Sequence, residues 1–235
     1  MNEGIILETK DLVKEFKGFV AVSGVGLKVK RGHIHALIGP NGAGKTTVFN
    51  LLTKFLIPTS GRIFYQGEDI TPLKSAQIAR KGVIRSFQIS ATFPHLTVLE
   101  NVRIGLQREL GTAYHFWRSE ASLQSLTPKA MELLNTVGLT EFADHITVEL
   151  PYGRKQGMGH EDVERVTQLI KTVSANRTVL MVEHNMGVVS KIADRISVLQ
   201  RGQIIAEGPY ETVSKDPQVL EAYMGSSEVE LQGAH

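Results

Sequence analysis

Cysteine is absent from all 235 residues. That excludes a disulfide framework, a thiol nucleophile and any cysteine-based metal site, and it fits a reducing compartment. An excess of charge is lacking too: 26 lysines and arginines against 24 aspartates and glutamates leave a net +2. The basic residues are scattered rather than striped, so nothing in the balance points to nucleic acid. No apolar run approaches the roughly 20 residues that a membrane span needs. The opening MNEGIILETK lacks a signal-peptide pattern. Work at a membrane would therefore require a partner that holds the chain there. Its length allows one large domain, or a core with a smaller attached lobe, and it can bury a hydrophobic core without covalent staples.

What is present is concentrated in one stretch, Gly39-Pro40-Asn41-Gly42-Ala43-Gly44-Lys45-Thr46-Thr47. It fits the phosphate-binding pattern G-x-x-x-x-G-K-[ST]. His33 to Ile38 ahead of it reads as a short apolar strand. Val48, Leu51, Leu52 and Phe55 behind it recur at i, i+3, i+4 and i+7, the stripe of an amphipathic helix. Glycines let the backbone turn tightly and aim N–H groups inward at anionic oxygens, and the helix N-terminus adds partial positive charge. Lys45 would reach the β- and γ-phosphates, and the Thr46 hydroxyl would ligate Mg²⁺. An ordinary glycine-rich turn would not need the whole pattern between a strand and a helix. The stretch points to a bound nucleoside triphosphate.

Around it the chain alternates strand and helix patterns. Ile5 to Leu7 and Val20 to Val29 read as strands, with a bulge or turn at Gly24 and Gly26. Phe16 and Phe19 lie between them. Either ring can pack in a core or stack on a base, the latter worth roughly 1–3 kcal/mol in nucleic-acid systems. Ile63 to Tyr65, a Gln66-Gly67 turn and Asp69-Ile70 read as a hairpin. Gly82 to Gln88 reads as a strand whose terminal amide can hold a water or complete a metal shell, although such a glutamine more often faces solvent. Residues 103 to 149 read as helical. In that span Thr127 is the expected N-cap, Pro128 the first helical residue, and Ala130, Leu133, Leu134 and Val137 the apolar face, with Gly138 as the stop. From His160 onward Val163, Val166, Ile170 and Val173 share one helical face. Thr178 to Val182 has the pattern of a buried strand and ends in Glu183-His184. A histidine there can hydrogen-bond a γ-phosphate or attacking water. The remaining histidines, His33, His35 and His160 among them, read as bystanders. Arg195 to Val198 and Gln203 to Glu207 form a closing hairpin around Gly202, and residues after about Gly225 read as a frayed tail.

Taken in order, these stretches resemble the ATP-binding subunit of an ABC transporter. The order comprises an aromatic A-loop (Phe16), the Walker A loop (Gly39 to Thr47), a Q-loop (Gln88), a signature stretch (Leu150 to Gln156) and a switch histidine (His184). Within that family the chain looks most like the branched-chain or hydrophobic amino-acid importers. RSFQ with FPHLTVLENV, the LPYG form of the signature, VEHNM and RGQIIAEGPYETVSKDPQVLEAYMG carry the likeness. The long segment after Asn101, with GTAYHFW, is similar to the larger of the two ATPase subunits of such importers.

The resemblance implies an α/β fold: a phosphate-loop NTPase (RecA-like) core with an antiparallel β lobe and a helical lobe. It implies one domain over residues 5–225, the helical lobe at about 100–156, and a flexible tail at 226–235. ATP and Mg²⁺ would be the ligands. Phe16, Gly39, Asn41, Gly42, Ala43, Gly44, Lys45, Thr46 and Thr47 would bind nucleotide, with Thr46 and Gln88 at the metal and Gln88 and His184 at the γ-phosphate. Two such subunits, identical or related, would sandwich two ATP molecules head to tail, Tyr152 and Gly153 of each closing on the other's nucleotide. Closure would move transmembrane permease subunits docked near Gln88 and Phe93 to Glu100, at the cytoplasmic face of a bacterial inner membrane. ATP hydrolysis by this ABC-type ATPase would then reset the dimer. A solute-binding protein would take part indirectly.

The chain departs from the family in one place. The family has, after the signature and a helix, a second apolar strand ending in an aspartate that orders Mg²⁺ and a glutamate that polarises the attacking water. Here Gln156 runs directly into Gly157-Met158-Gly159-His160-Glu161-Asp162, and no apolar run followed by Asp-Glu occurs from 150 to 178. A helix, a strand and their connections amount to roughly 22–26 residues. Loss of an inner strand is expected to expose apolar neighbours and unpair backbone groups. Glu161 and Asp162 are the nearest acids, and they stand at a helix start. Two further readings stay open: a subunit that binds ATP without hydrolysing it beside a competent partner, and a soluble ABC protein, whose usual second phosphate loop this chain lacks.

Overall fold

The computed structural model describes residues 4–85, 93–107, 121–149, 164, 167–168, 170–172, 174–183 and 186–223. The chain divides into two compact units, Met1–Arg85 with Val163–His235, and Ser86–Asp162.

The first unit opens with β1 (Ile5–Phe16), β2 (Phe19–Val25) and β3 (Lys28–Lys30). It continues through β4 (Ile34–Ile38), α1 (Lys45–Leu52), β5 (Ser60–Tyr65), β6 (Glu68–Asp69) and α2 (Ser75–Arg80). β1 extends well past the expected Leu7. It is the hub of an antiparallel sheet in the order β2-β1-β5-β6, with β3 also paired to it. The hairpin turns Lys17-Gly18 and Gln66-Gly67 hold positive φ at both central residues, the conformation that matches the right-handed twist of antiparallel strands.

The rest of this unit follows the second one in sequence. It holds β7 (Val179–Val182), α6 (Met186–Ile192), β8 (Arg195–Gln200), β9 (Gln203–Gly208) and the short α7 (Tyr210–Val213). With β4 these strands form a sheet in the order β7-β4-β8-β9. β4 runs parallel to both neighbours, and β8 and β9 close as an antiparallel hairpin.

All five residues of β4 are buried, as expected of a central parallel strand covered on both faces. Leu37 joins the core that α1 (Val48, Leu51) shares with the antiparallel sheet (Leu12, Val22, Ile63). Ala36 and Ile38 join the opposite core with Val189 of α6, Ile196 and Val198 of β8, and Val213 of α7. β4 is thus clamped between two apolar layers and delivers the loop after it to a fixed place.

β7 differs from expectation. Its pattern reads as a fully buried strand, yet Val179, Leu180 and Met181 are half-buried and Val182 is 36% exposed. Among the described residues β7 pairs only with β4 and forms the edge of its sheet. Burial of a strand depends on what lies on both sides of it, which its own composition does not encode.

The second unit contains α3 (Val98–Leu106), α4 (Ala121–Gln124) and α5 (Thr127–Thr136). α3 begins earlier than the expected residue 103. Thr97 caps it, accepting from the Glu100 N–H while the Glu100 carboxylate accepts from the Thr97 N–H. The expected cap at Thr127 is corrected: Thr127 is already helical, Leu126 is the N-cap, and no side chain caps it. Leu126 sits in the core beside Leu106 and Ala130, so its burial fixes the helix start. Leu133 and Val137 are exposed, and the buried face of α5 is Ala130 and Leu134, with Met131 packed beside them. Gly138, at φ 69, ends the helix as expected, with the Leu139 N–H returning to Leu134 O. Residues 82–85 are not a strand, and the rest of that reading, through Gln88, lies outside the described residues.

Candidate nucleotide-binding site

The loop from Gly39 to Gly44 joins the C-terminal end of β4 to the N-terminus of α1. Two of its glycines are required by close approach. A Cβ on Gly39 (φ +148) would lie 2.0 Å from the Leu199 carbonyl oxygen, and one on Gly44 (φ +100) would lie 2.6 Å from that of Ala21. Both obstacles are backbone and cannot swing aside. The loop is therefore pressed against β8 below and β2 beside it. The Ala43 carbonyl accepts from the Gly202 N–H at 2.9 Å, and the Gly202 carbonyl accepts from the Ser23 N–H at 2.8 Å.

The first turn of α1 is open to an anion. Its N-cap is Gly44, no side chain caps it, and it carries no acidic residue. The helix-start N–H groups and the partial positive charge at that end are thus available. Lys45 Nζ lies over the loop, donating to the carbonyls of Gly39 (2.7 Å) and Pro40 (2.8 Å). Burial pushes its pKa below the usual lysine value. Neutral carbonyls are weak partners for an ammonium, and a phosphate would compete for it strongly. Asn41, Gly42 and Thr46 are exposed at the rim, and Thr47 is half-buried.

Phe16 ends β1 and pairs across the hairpin with Phe19. Both rings are exposed, at 41% and 68%, so neither packs in the core. Lys14 Nζ stands 5.0 Å from the Phe16 ring centroid. This hairpin belongs to the strand pair whose Ala21 carbonyl abuts Gly44. Exposed aromatic area therefore lies on the same β2 strand that borders the loop.

β7 ends at Val182, level with Leu37 of the parallel β4. The chain thus leaves β7 on the edge where the phosphate loop starts. His184, one residue beyond the half-buried Glu183, lies outside the described residues, as do Gln88, Tyr152 and Gly153. Sequence reading found the turn at Gly202 but not its support of the loop, and it missed Leu199 of β8 and Tyr223. Burial raises the Tyr223 hydroxyl's pKa, and the nearby Gly39 backbone works against that rise. Asp194 was missed as well; its carboxylate accepts from the Ile34 N–H at 2.7 Å and anchors the base of β4. Only the Arg201-Gly202 turn left a signal in the sequence, since the other contacts are long-range.

A central parallel strand, a loop with no room for a side chain at Gly39 or Gly44, and an uncapped helix with a lysine over its mouth define a phosphate-loop nucleotide-binding protein of the α/β class. Residues 22–185 match the ABC transporter family, and residues 203–229 match the branched-chain amino acid ATP-binding cassette transporter family. The chain belongs to the ABC transporter family. It is 36% identical to the high-affinity branched-chain amino acid transport ATP-binding protein BraF of Pseudomonas aeruginosa, over 94% of this chain and 98% of that one. That alignment spans 254 positions, more than the 235 residues here, so it places gaps in this chain. The corresponding protein LivG of Escherichia coli (strain K12) is 32% identical over the same shares. The fold is similar to the crystal structure of the ADP conformation of an ATP-binding cassette of an ABC transporter. The TM-score is 0.80 at 29% identity, covering 94% of this chain and 99% of that one. A nucleotide-free cassette gives a TM-score of 0.76 at 28% identity, over 93% and 98%. The expected α/β phosphate-loop fold is the observed one.

Proposed function

We propose that this chain is the ATP-binding subunit of an importer for amino acids of the branched-chain type. Its likeness to BraF and LivG over nearly their whole length supports that reading. The observation that carries it is the β4–loop–α1 unit, with Lys45 held over an uncapped helix start. These residues fit a triphosphate: backbone N–H groups and Lys45 for its oxygens, and the exposed Phe16 ring for its base. Mg²⁺ would be held by the Thr46 hydroxyl, Gln88 and phosphate oxygens. Among the described residues no cluster of three or more His, Asp or Glu side chains could replace that set. When bound, the ion neutralises phosphate charge. His184 and Gln88 would attend the γ-phosphate, and Tyr152 and Gly153 the nucleotide of a second cassette. The subunit would sit at the cytoplasmic face of the membrane, held by its permease partners; none of the described helices is long and apolar enough to cross it.

Binding and turnover separate in this chain. It has no apolar run ending in Asp-Glu between residues 150 and 178, so the family's water-polarising carboxylate is missing from its usual place. The experiment is ATP binding and ATP turnover on one purified preparation, with intact mass confirming the length. Mg²⁺-dependent binding that Lys45→Ala weakens at least about tenfold, with turnover near background, is the expected result. Turnover that His184→Ala abolishes would overturn the second half, and binding indifferent to Lys45→Ala would overturn the first.

A further inference from the structure

His35 is the second residue of β4 and is wholly buried, 0% exposed. Its Nε2 lies 2.8 Å from Ser197 Oγ on β8, which is also 0% exposed. Its Nδ1 is buried and has no hydrogen-bond partner. On β7 it stands opposite the uncharged Leu180. The charged and titratable groups that face it are Glu207 of β9, Arg195 of β8 and His33 just ahead of β4. Arg195 and Glu207 pair with each other at 2.6 Å, so the pull of Glu207 toward a charged His35 is opposed by Arg195 beside it.

This site has room for one imidazole proton and not for two. In the neutral ring the tautomer that fits carries its hydrogen on Nε2, which donates to Ser197 Oγ and leaves Nδ1 bare. The other tautomer would place its N–H on Nδ1, where no acceptor stands. An imidazolium would present N–H at both nitrogens, and the one on Nδ1 would meet no acceptor in a site closed to solvent. We propose that the His35–Ser197 pair is an acid-sensitive latch beneath the phosphate loop, which holds β4 on β8 while His35 is neutral and releases the loop when it is protonated. The connection to the loop is direct. β4 carries Gly39 four residues past His35, β8 carries Leu199 two residues past Ser197, and Gly39 and Leu199 touch. The Gly202–Ala43 hydrogen bond ties the same two segments once more. Parting β4 from β8 therefore unseats the loop that would hold phosphate.

Burial lowers the His35 pKa from 6.5 to about 4. The open, hydrated form titrates at its ordinary value and so binds more protons between those limits. The latch is at full strength above pH 6.5 and weakens as pH falls toward about 4. Within that window the open fraction rises about fivefold over the first pH unit below 6.5 and about sevenfold over the next.

The test is amide hydrogen exchange over β4, the loop and β8 in the nucleotide-free chain, corrected for intrinsic rates, at pH about 7.5, 6.5 and 5.5. Protection should fall about fivefold between the two lower values in the native chain and stay nearly level in His35→Asn. Equal loss in both chains would overturn the latch. Should the variant fail to fold, imidazole NMR on the native chain decides. A His35 signal that stays neutral throughout supports the latch, and one titrating near pH 6.5 in the folded state refutes it. No nucleotide enters this experiment, so failure of ATP binding would count against the proposed function alone.

Discussion

At the scale of the residue, this site is built by exclusion as much as by attraction. Gly39 and Gly42 both have positive φ, but only Gly39 has backbone at 2.0 Å from a would-be Cβ, whereas Gly42 has nothing within 4 Å. Gly39→Ala must push Leu199 away or abandon the turn, at a cost of about 3 kcal/mol or more. Gly42→Ala carries only the conformational cost, about 1 kcal/mol. Urea denaturation of both variants should show that gap, and equal midpoints would contradict the close packing of the loop on β8. The same logic applies to Lys45. Its ammonium rests on two neutral carbonyls, an arrangement that satisfies hydrogen bonds but leaves its charge uncompensated.

At the scale of the element, the start of α3 shows how two side chains set a boundary. Thr97 and Glu100 satisfy one another's N–H groups, and Asn101 Nδ2 bonds the carbonyls of Phe93 and Thr97 and the Thr147 hydroxyl. Thr97→Ala removes the cap and should cost the second unit about 1 kcal/mol. Hydrogen bonds from Thr97 hold the Glu100 carboxyl below its usual pKa. Its contribution is therefore present above the ordinary glutamate value of 4.5 and is lost as pH falls below it. Circular dichroism should find an earlier melt in the variant at pH 7, with the difference from the native chain shrinking in acid. β7 is the counterpart among strands: its residues are those of a covered strand, but among the described residues it stands at a sheet edge with Val182 exposed. An uncovered apolar edge is where pairing between molecules starts.

At the scale of the whole molecule, nucleotide and fold are linked. Ligand that binds only the folded first unit stabilises it by mass action, about 2.7 kcal/mol at a concentration of one hundred times Kd. ATP with Mg²⁺ should raise the unfolding free energy of the native chain in urea by that amount and leave that of Lys45→Ala nearly unmoved. An equal shift in both would place the nucleotide elsewhere. The chain is built of two compact units, and the loop, its strands and its supports all belong to the first. The segment that normally supplies the hydrolytic carboxylate would follow the signature, which is why the proposed chemistry divides into binding and turnover.

The sequence by itself determined the parts whose physics is local. The phosphate loop, its flanking strand and helix, the Gln66-Gly67 and Gly202 turns and the Gly138 stop all follow from glycine conformations and apolar periodicity within a few residues. Phe16 was legible as an aromatic but not as an exposed one. Only the tertiary structure decided what depends on neighbours far along the chain. It left β7 half-covered, turned Leu133 and Val137 outward, and made Leu126 rather than Thr127 the start of α5. It also turned His35 from a bystander into a buried partner of Ser197, 162 residues away. A side chain's burial is set by the surfaces that close over it, and in this chain those surfaces come from segments that no local pattern brings together.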